Sequence, residues 1–90
     1  MADVIKRNGT KSEPFDKQKL HTSIEAACLS VRSPEGEAAL IARRVADTVH
    51  TWVDARPAVT SNDIRRVAAS LLDTFHPEAA YLYQNHRLVV

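Results

Sequence analysis

The strongest constraint on the fold of this 90-residue chain is an apolar stripe in its C-terminal half. The stripe recurs every three or four residues, which is the period of one face of an α-helix, and consists of Ile64, Val67, Ala68, Leu71, Leu72 and Phe75. Thr60 or Ser61 can cap the start of this helix, and His76-Pro77 ends it. Because an amphipathic helix buries its apolar face, we expect other elements of the chain to pack on this stripe.

Three further helices are predicted from their start and stop signals. The first follows Asp16, whose carboxylate can accept from the free N–H groups of the first turn. The second starts at Ser33-Pro34-Glu35, with Ser33 as the cap, and stops at Arg56-Pro57. The last starts at Pro77. Their inward residues are predicted to be Leu20, Ile24, Ala27, Cys28 and Val31 in the first, Ile41, Val45, Val49 and Trp52 in the second, and Tyr81 and Leu82 in the last, with Leu88 and Val89 as further candidates.

Short β-prone runs lie outside these helices. Val4-Ile5, the turn-forming pair Asn8-Gly9 and the extended residues 11–15 predict an N-terminal hairpin, and Ala58–Thr60 is a candidate third strand. We therefore expect an α+β fold, in which a small N-terminal β-hairpin or three-stranded sheet covers a four-helix bundle. A chain of this length suffices for one small domain, so residues 1–90 are predicted to form a single domain.

Charge, cysteine content and hydropathy exclude several classes of protein. A formal net charge of +1 does not provide the overall positive charge that is typical of a nucleic-acid-binding protein. Cys28 is the only cysteine, which rules out an intrachain disulfide and a cysteine-based zinc site. The N-terminus has no apolar signal core, and no apolar run approaches the roughly 20 residues that span a bilayer. These observations predict a cytoplasmic location.

Catalytic constellations are not evident in the sequence. Its four histidines lack the i, i+4 spacing that places two imidazoles on one helical face. No serine lies in a nucleophile-elbow context. The only glycines are Gly9 and Gly36, so a glycine-rich phosphate loop is excluded. We therefore predict that the chain is not an enzyme.

A basic cluster near the N-terminus remains as the candidate for function. Lys6 and Arg7 are neighbours on one predicted strand, so their side chains point to opposite faces. Lys19 falls in the first turn of the first helix, where a cation opposes the helix dipole. A bound phosphate would remove this penalty, because helix-start N–H groups and an ammonium both favour an anion. From the residues alone, ordinary solvated lysines on a small sheet are the competing interpretation.

The opening of the chain carries three motifs in a fixed order, namely Val4-Ile5-Lys6-Arg7-Asn8-Gly9, Glu13-Pro14-Phe15-Asp16 and Lys19-Leu20. Further motifs follow at Val59-Thr60-Ser61 before Ile64, at Leu71-Leu72, and at Ala80-Tyr81-Leu82. Together they cover nearly the whole chain and resemble the ATP-cone. That domain lies at the N-terminus of many ribonucleotide reductases and in the repressor of their genes.

The resemblance implies an allosteric, nucleotide-binding regulatory domain whose effector is ATP or dATP, with or without Mg²⁺. Lys6 and Arg7 match the basic pair of the family's first strand, which contacts phosphates. Lys19 matches the phosphate-binding lysine of the family's first helix.

The resemblance also implies which residues lie near the base. Val4 matches an apolar position beside the base, and Ser61 matches the hydroxyl that caps the third helix near the ligand. Glu13 and Asp16 stand where family members place groups near the adenine. A carboxylate can accept from the N6 amino group of adenine and would repel the O6 of guanine.

The implied partner is a ribonucleotide reductase or another copy of this chain. Neither a membrane nor a nucleic acid is expected as a partner. Two alternatives come from other classes of protein. A ligand-free interaction module is favoured by the absence of the family's late basic residue in the fourth helix, for which Arg87 is only an approximate substitute. A DNA-binding accessory is favoured only by Arg43-Arg44 and Arg65-Arg66.

Overall fold

The computed structural model describes residues 3–5 and 12–86 of the chain. In chain order the elements in these ranges are β1 (Asp3–Ile5), β2 (Ser12–Pro14), α1 (Lys17–Ser30), α2 (Glu35–Asp54), β3 (Ala58–Thr60), α3 (Ser61–Phe75) and α4 (Pro77–His86). All four segments that were predicted as helices are helical. The predicted turn at Asn8-Gly9 lies outside the described residues.

Local capping decides where α1 and α2 begin. Asp16 Oδ1 accepts from a backbone amide in the first turn of α1 at 3.1 Å, so the prediction that Asp16 caps this helix is confirmed. The start of α2 differs from the prediction by one residue. Pro34 occupies the N-cap position without a side-chain hydrogen bond, and Ser33 precedes it. Glu35 and Glu37 lie in the first turn, where carboxylates complement the helix dipole.

Thr60, and not Ser61, caps α3. Thr60 Oγ1 accepts from the Asp63 amide at 3.0 Å, and Asp63 Oδ2 accepts from the Thr60 amide at 3.1 Å, which completes a capping box. Hydrogen bonds from Thr60, followed by the nearby Arg66 charge, hold the pKa of Asp63 below its ordinary value. Ser61 is therefore the first residue of α3, and the cap does not require its hydroxyl.

The four helices pack in a ring because each buries one apolar face. α1 packs on α2, α2 on α3, α3 on α4, and α4 returns to α1. Ile24 and Leu72 are among the largest fully buried side chains. Cys28 lies in the same core, where burial, with smaller contributions from Glu37 and Glu25, raises the pKa of its thiol to about 11. This thiol is therefore neutral at physiological pH and acts as a small core residue.

Three short strands connect the N-terminal part of the described chain to the segment that precedes α3. β1 lies between β2 and β3, antiparallel to β2 and parallel to β3. Val4 is opposite Glu13 on one side and opposite Val59 on the other. Because β3 leads directly into α3, the pairing of β1 with β3 places β1 beside the start of α3.

The predicted α+β class, with a sheet covering a four-helix bundle, is wrong. The described chain is predominantly helical, because its helices contain 14, 20, 15 and 10 residues whereas its strands contain three each. Among the side chains that the structure describes, Val4 and Val59 are the strand residues in the buried core, and the other core residues are helical. Helix-on-helix packing therefore forms the core of the described chain, and no sheet layer covers it.

The helical stripes also differ in detail from their prediction. Ile64, Ala68 and Leu72 of α3 are buried, but Phe75 is 44% exposed because it is the last residue of the helix. In α4, Tyr81 was predicted to face inward and is 65% exposed. The buried residues of α4, as far as its side chains are described, are Ala79, Ala80 and Tyr83, and the candidates Leu88 and Val89 lie outside the described residues.

Candidate functional site

Four parts of the fold meet around a cavity of about 510 Å³. Its walls come from β1, from the end of β2 with the first two turns of α1, from the start of α3, and from α4. Small-molecule sites in proteins typically have volumes of about 300–1,000 Å³. The cavity is therefore large enough for a ligand of nucleotide size that leaves part of its surface in solvent.

Four residues predicted to bind nucleotide line this one cavity: Val4, Asp16, Lys19 and Ser61. They come from three separate elements or caps, namely β1, the N-cap and first turn of α1, and the first residue of α3. Val4 is 7% exposed and belongs to the apolar core, so it supplies apolar surface to the cavity. The fold thus brings together residues that are up to 57 positions apart in the chain, from Val4 to Ser61.

The remaining predicted site residues are not placed by the structure. Lys6 and Arg7 lie outside the described residues. Glu13 is paired with Val4 in the sheet, but its side chain is outside the described part of the chain. Their roles at the site therefore stay predictions.

Two neighbouring lysines of α1 have different surroundings. Lys17 forms an ion pair with Asp47 of α2, and the hydrogen bond in this pair lowers the pKa of the Asp47 carboxyl. Lys19 lines the cavity, and within the described part of the chain it has no ion-pair partner. The ammonium of Lys19, unlike that of Lys17, is therefore available to an anion in the cavity.

The wall that contains Phe15 is attached to α2. The ring of Phe15 lies 5.7 Å from the ring of His50, centroid to centroid, with an angle of 31° between the planes. His50 Nε2 in turn lies 3.3 Å from Asp54 Oδ2. Together with the Lys17–Asp47 pair, this contact holds the start of α1 against α2.

Several lining residues were missed by the sequence analysis as members of a site. Thr22 and Ser23 follow Lys19 by three and four residues, so they share its helical face. Arg65 follows Ser61 by four residues on α3, and this spacing could have placed it at the site. Tyr83 of α4 was missed because the inward face of that helix was predicted in the wrong register.

The cavity combines apolar surface with an excess of positive charge. Leu20, Ile64 and Tyr83 are buried and line it. Among its described lining residues, Lys19 and Arg65 are cationic and Asp16 is the single acidic one. Such a site suits a ligand with a flat, largely apolar part and an anionic part.

The described ranges contain neither a cluster of metal ligands nor a membrane-spanning helix. Residues 3–5 and 12–86 contain no group of three or more His, Cys, Asp or Glu side chains that could hold a metal ion. No helix in the same ranges is sufficiently long and apolar to cross a membrane. The cytoplasmic location and the participation of Mg²⁺ stay predictions.

The sequence model of the ATP cone domain matches residues 2–87 of the chain. The match covers nearly all of the chain, and the chain therefore belongs to the ATP-cone family, a class of regulatory domain that binds adenine nucleotides as effectors. The resemblance inferred from the motifs is thus confirmed.

Two curated relatives are transcriptional repressors named NrdR, from Tropheryma whipplei strain Twist and strain TW08/27. Each is 39% identical to this chain over 61 residues, which is 68% of this chain and 40% of the repressor. The chain therefore spans less than half the length of the relatives that it matches. No solved structure matches the chain. Because these relatives repress transcription, the prediction that nucleic acid is not a partner has no support from them.

Proposed function

We propose that this ATP-cone domain binds ATP or dATP reversibly in the cavity between α1, β1, α3 and α4, as an effector and not as a substrate. The observation that carries the proposal is the convergence of Val4, Asp16, Lys19 and Ser61 on one cavity. All four are positions at which the resemblance to the ATP-cone implies contact with the nucleotide. The apolar surface and the positive charge of the cavity support a base and a phosphate chain, respectively, as its two occupants.

The proposed orientation follows from the chemistry of the lining residues. Val4 and Ile64 provide apolar contact for the adenine ring. The Asp16 carboxylate is close enough to line the cavity while it caps α1, so one oxygen can cap and the other can accept from the N6 amino group. The Lys19 ammonium binds phosphate oxygens, and Ser61 contributes a hydroxyl at the start of α3.

The proposed output is a change in association with another chain. An effector shifts an equilibrium between assembly states only by its difference in affinity for them, so nucleotide binding and association must strengthen each other equally. The regulated partner is proposed to be a ribonucleotide reductase, consistent with family membership, or a second copy of this chain. Sedimentation velocity with and without ATP separates these partners, since only self-association changes the size of the isolated chain.

For the two alternatives, the described residues show no comparable convergence on one surface. The late basic residue whose absence favours a ligand-free module would lie beyond the described residues. Of the pairs that favour a DNA-binding accessory, Arg65 lines the cavity whereas Arg66 pairs with Asp63 at 3.3 Å. These two arginines therefore do not form one continuous basic surface.

Calorimetric titration tests the proposal. We expect saturable binding of ATP and of dATP, and at least roughly tenfold weaker binding of GTP, because the guanine O6 would face a carboxylate that cannot donate to it. GTP is the matched control, since it carries the same triphosphate. The absence of binding by either adenine nucleotide, or equal affinity for GTP, would refute an adenine site.

A further inference from the structure

Arg65 has surroundings that set it apart from the other arginines of the described helices. It is half-buried on α3, lines the cavity, and lies one helical turn after Ser61. Its guanidinium carbon is 5.5 Å from the centroid of the Tyr83 ring, within the range of a cation–π contact. The cation is therefore held over an aromatic surface at the wall of the cavity formed by α3 and α4.

The next residue, Arg66, shows what a solvated arginine on this helix does. The Arg66 side chain is 69% exposed and pairs with Asp63 at 3.3 Å. Asp63 also accepts from the Thr60 amide, so its carboxylate is occupied by the cap and by Arg66. Within the described ranges, Arg65 has no carboxylate partner. Its planar group of N–H donors is thus available to an anion that enters the cavity.

We propose that Arg65 is a phosphate-binding residue of this site and that Tyr83 is the positioning residue that holds its guanidinium toward the ligand. The proposal rests on the proposed function, because it takes the ligand to be an adenine nucleotide. Lys19 on α1 and Arg65 on α3 are the two cations of the described lining, so the phosphate chain is held from both helices. A bound triphosphate would therefore connect α1 to α3.

Tyr83 is suited to this positioning role. It is 5% exposed, and burial raises the pKa of its hydroxyl, an effect that the Arg65 charge partly opposes. The side chain is therefore a neutral phenol at physiological pH, and the face of its aromatic ring contacts the guanidinium. Because the ring and not the hydroxyl makes this contact, Tyr83→Phe should retain the affinity for ATP within about twofold.

The test compares Arg65→Met with Arg66→Met by calorimetry, using ATP, adenosine and inorganic tripolyphosphate as probes. Loss of charge-assisted hydrogen bonds predicts roughly 10- to 100-fold weaker ATP binding in Arg65→Met. Adenosine affinity should stay unchanged, tripolyphosphate binding should weaken with ATP, and the salt dependence of ATP binding should become shallower. Arg66→Met should bind all three probes like the wild-type chain, within about twofold.

Each other result contradicts the proposal in an identifiable way. If wild-type chain binds ATP and Arg65→Met binds it equally well, Arg65 does not contact phosphate, although the proposed function survives. If Arg65→Met weakens adenosine as much as ATP, its effect is not on the phosphates. If wild-type chain binds neither ATP nor tripolyphosphate, both proposals fail. Circular dichroism melts of the variants, together with Arg65→Lys, which keeps the charge, separate loss of the contact from loss of the fold.

Discussion

Replacement of Leu72 by alanine should lower the free energy of unfolding by about 2–5 kcal/mol, because it removes a large side chain from a core that can collapse only in part. Leu72 is 0% exposed on α3, the helix that packs on both α2 and α4. A small domain has roughly 5–15 kcal/mol of total stability, so this one change removes much of it. Urea denaturation followed by circular dichroism measures the difference.

Phe75→Ala is the matched control on the same helix. Phe75 is 44% exposed, so its truncation should cost less than about 1 kcal/mol despite its larger side chain. The sequence stripe alone would have ranked the two changes as similar, since both residues lie on it. Equal losses of stability in the two variants would mean that the end of α3 is packed differently from this structure.

The combined variant Lys6→Ala, Lys19→Ala should abolish the rise in melting temperature that ATP produces in the wild-type chain. A ligand at 100 times its dissociation constant adds about 2.7 kcal/mol of stability. Removal of two phosphate-binding charges should raise the dissociation constant above the ATP concentration used, so that ATP no longer stabilises the chain. Lys19 lines the cavity, and Lys6 is included on the strength of its motif. A thermal-shift titration gives the result directly.

Lys17→Ala is the control for this double variant. Lys17 lies in the same turn as Lys19, but it pairs with Asp47 and does not line the cavity. The Lys17→Ala variant should therefore retain most of the ATP-induced shift. Because the Lys17–Asp47 ion pair is exposed, its loss should change the melting temperature of the unliganded chain only slightly. A shift that persists in the double variant, or disappears equally in Lys17→Ala, would place the phosphates elsewhere.

Helices could be predicted from the sequence because their signals are local. Apolar spacing and capping residues lie within a few positions of each other, so the Asp16 cap and the core positions Ile64 and Leu72 were found. Burial at the ends of helices depends instead on where the next element turns. Phe75, the last residue of α3, was therefore predicted wrongly, whereas Tyr81 was predicted wrongly because the inward face of α4 has a different register.

The fold class was missed for a related reason. β-prone residues such as Val4 and Val59 do pair, but local propensity does not say how far a strand will extend or what share of the core it will supply. Each strand contributes three residues to the described chain, and among the described side chains the helices supply nearly all of the core. The order of strands followed by helices in the sequence therefore led to an overestimate of how much the sheet contributes to the core.

The residues of the candidate site also fall into two groups, those that sequence motifs predict and those that depend on the packing of helices. Val4, Asp16, Lys19 and Ser61 were found through motifs, and the fold brings them to one cavity. Arg65 was noticed only as half of a basic pair, because nothing in the sequence indicates that the ring of Tyr83 lies beside it. Contacts between α3 and α4 depend on the packing of whole helices, which the residue pattern of either helix does not contain.

The central claim is that an adenine nucleotide binds in the cavity between α1 and α3. Titration of isotope-labelled chain with ATP, followed by amide chemical shifts in NMR spectra, tests it most directly. We expect saturable shifts at Lys19, Ser23, Ser61 and Arg65, which line the cavity, and little change at the exposed Arg44 of α2. Shifts that do not saturate at millimolar ATP, or that concentrate instead in the groove lined by Val31, Pro77, Glu78, Tyr81 and Leu82, would contradict the account.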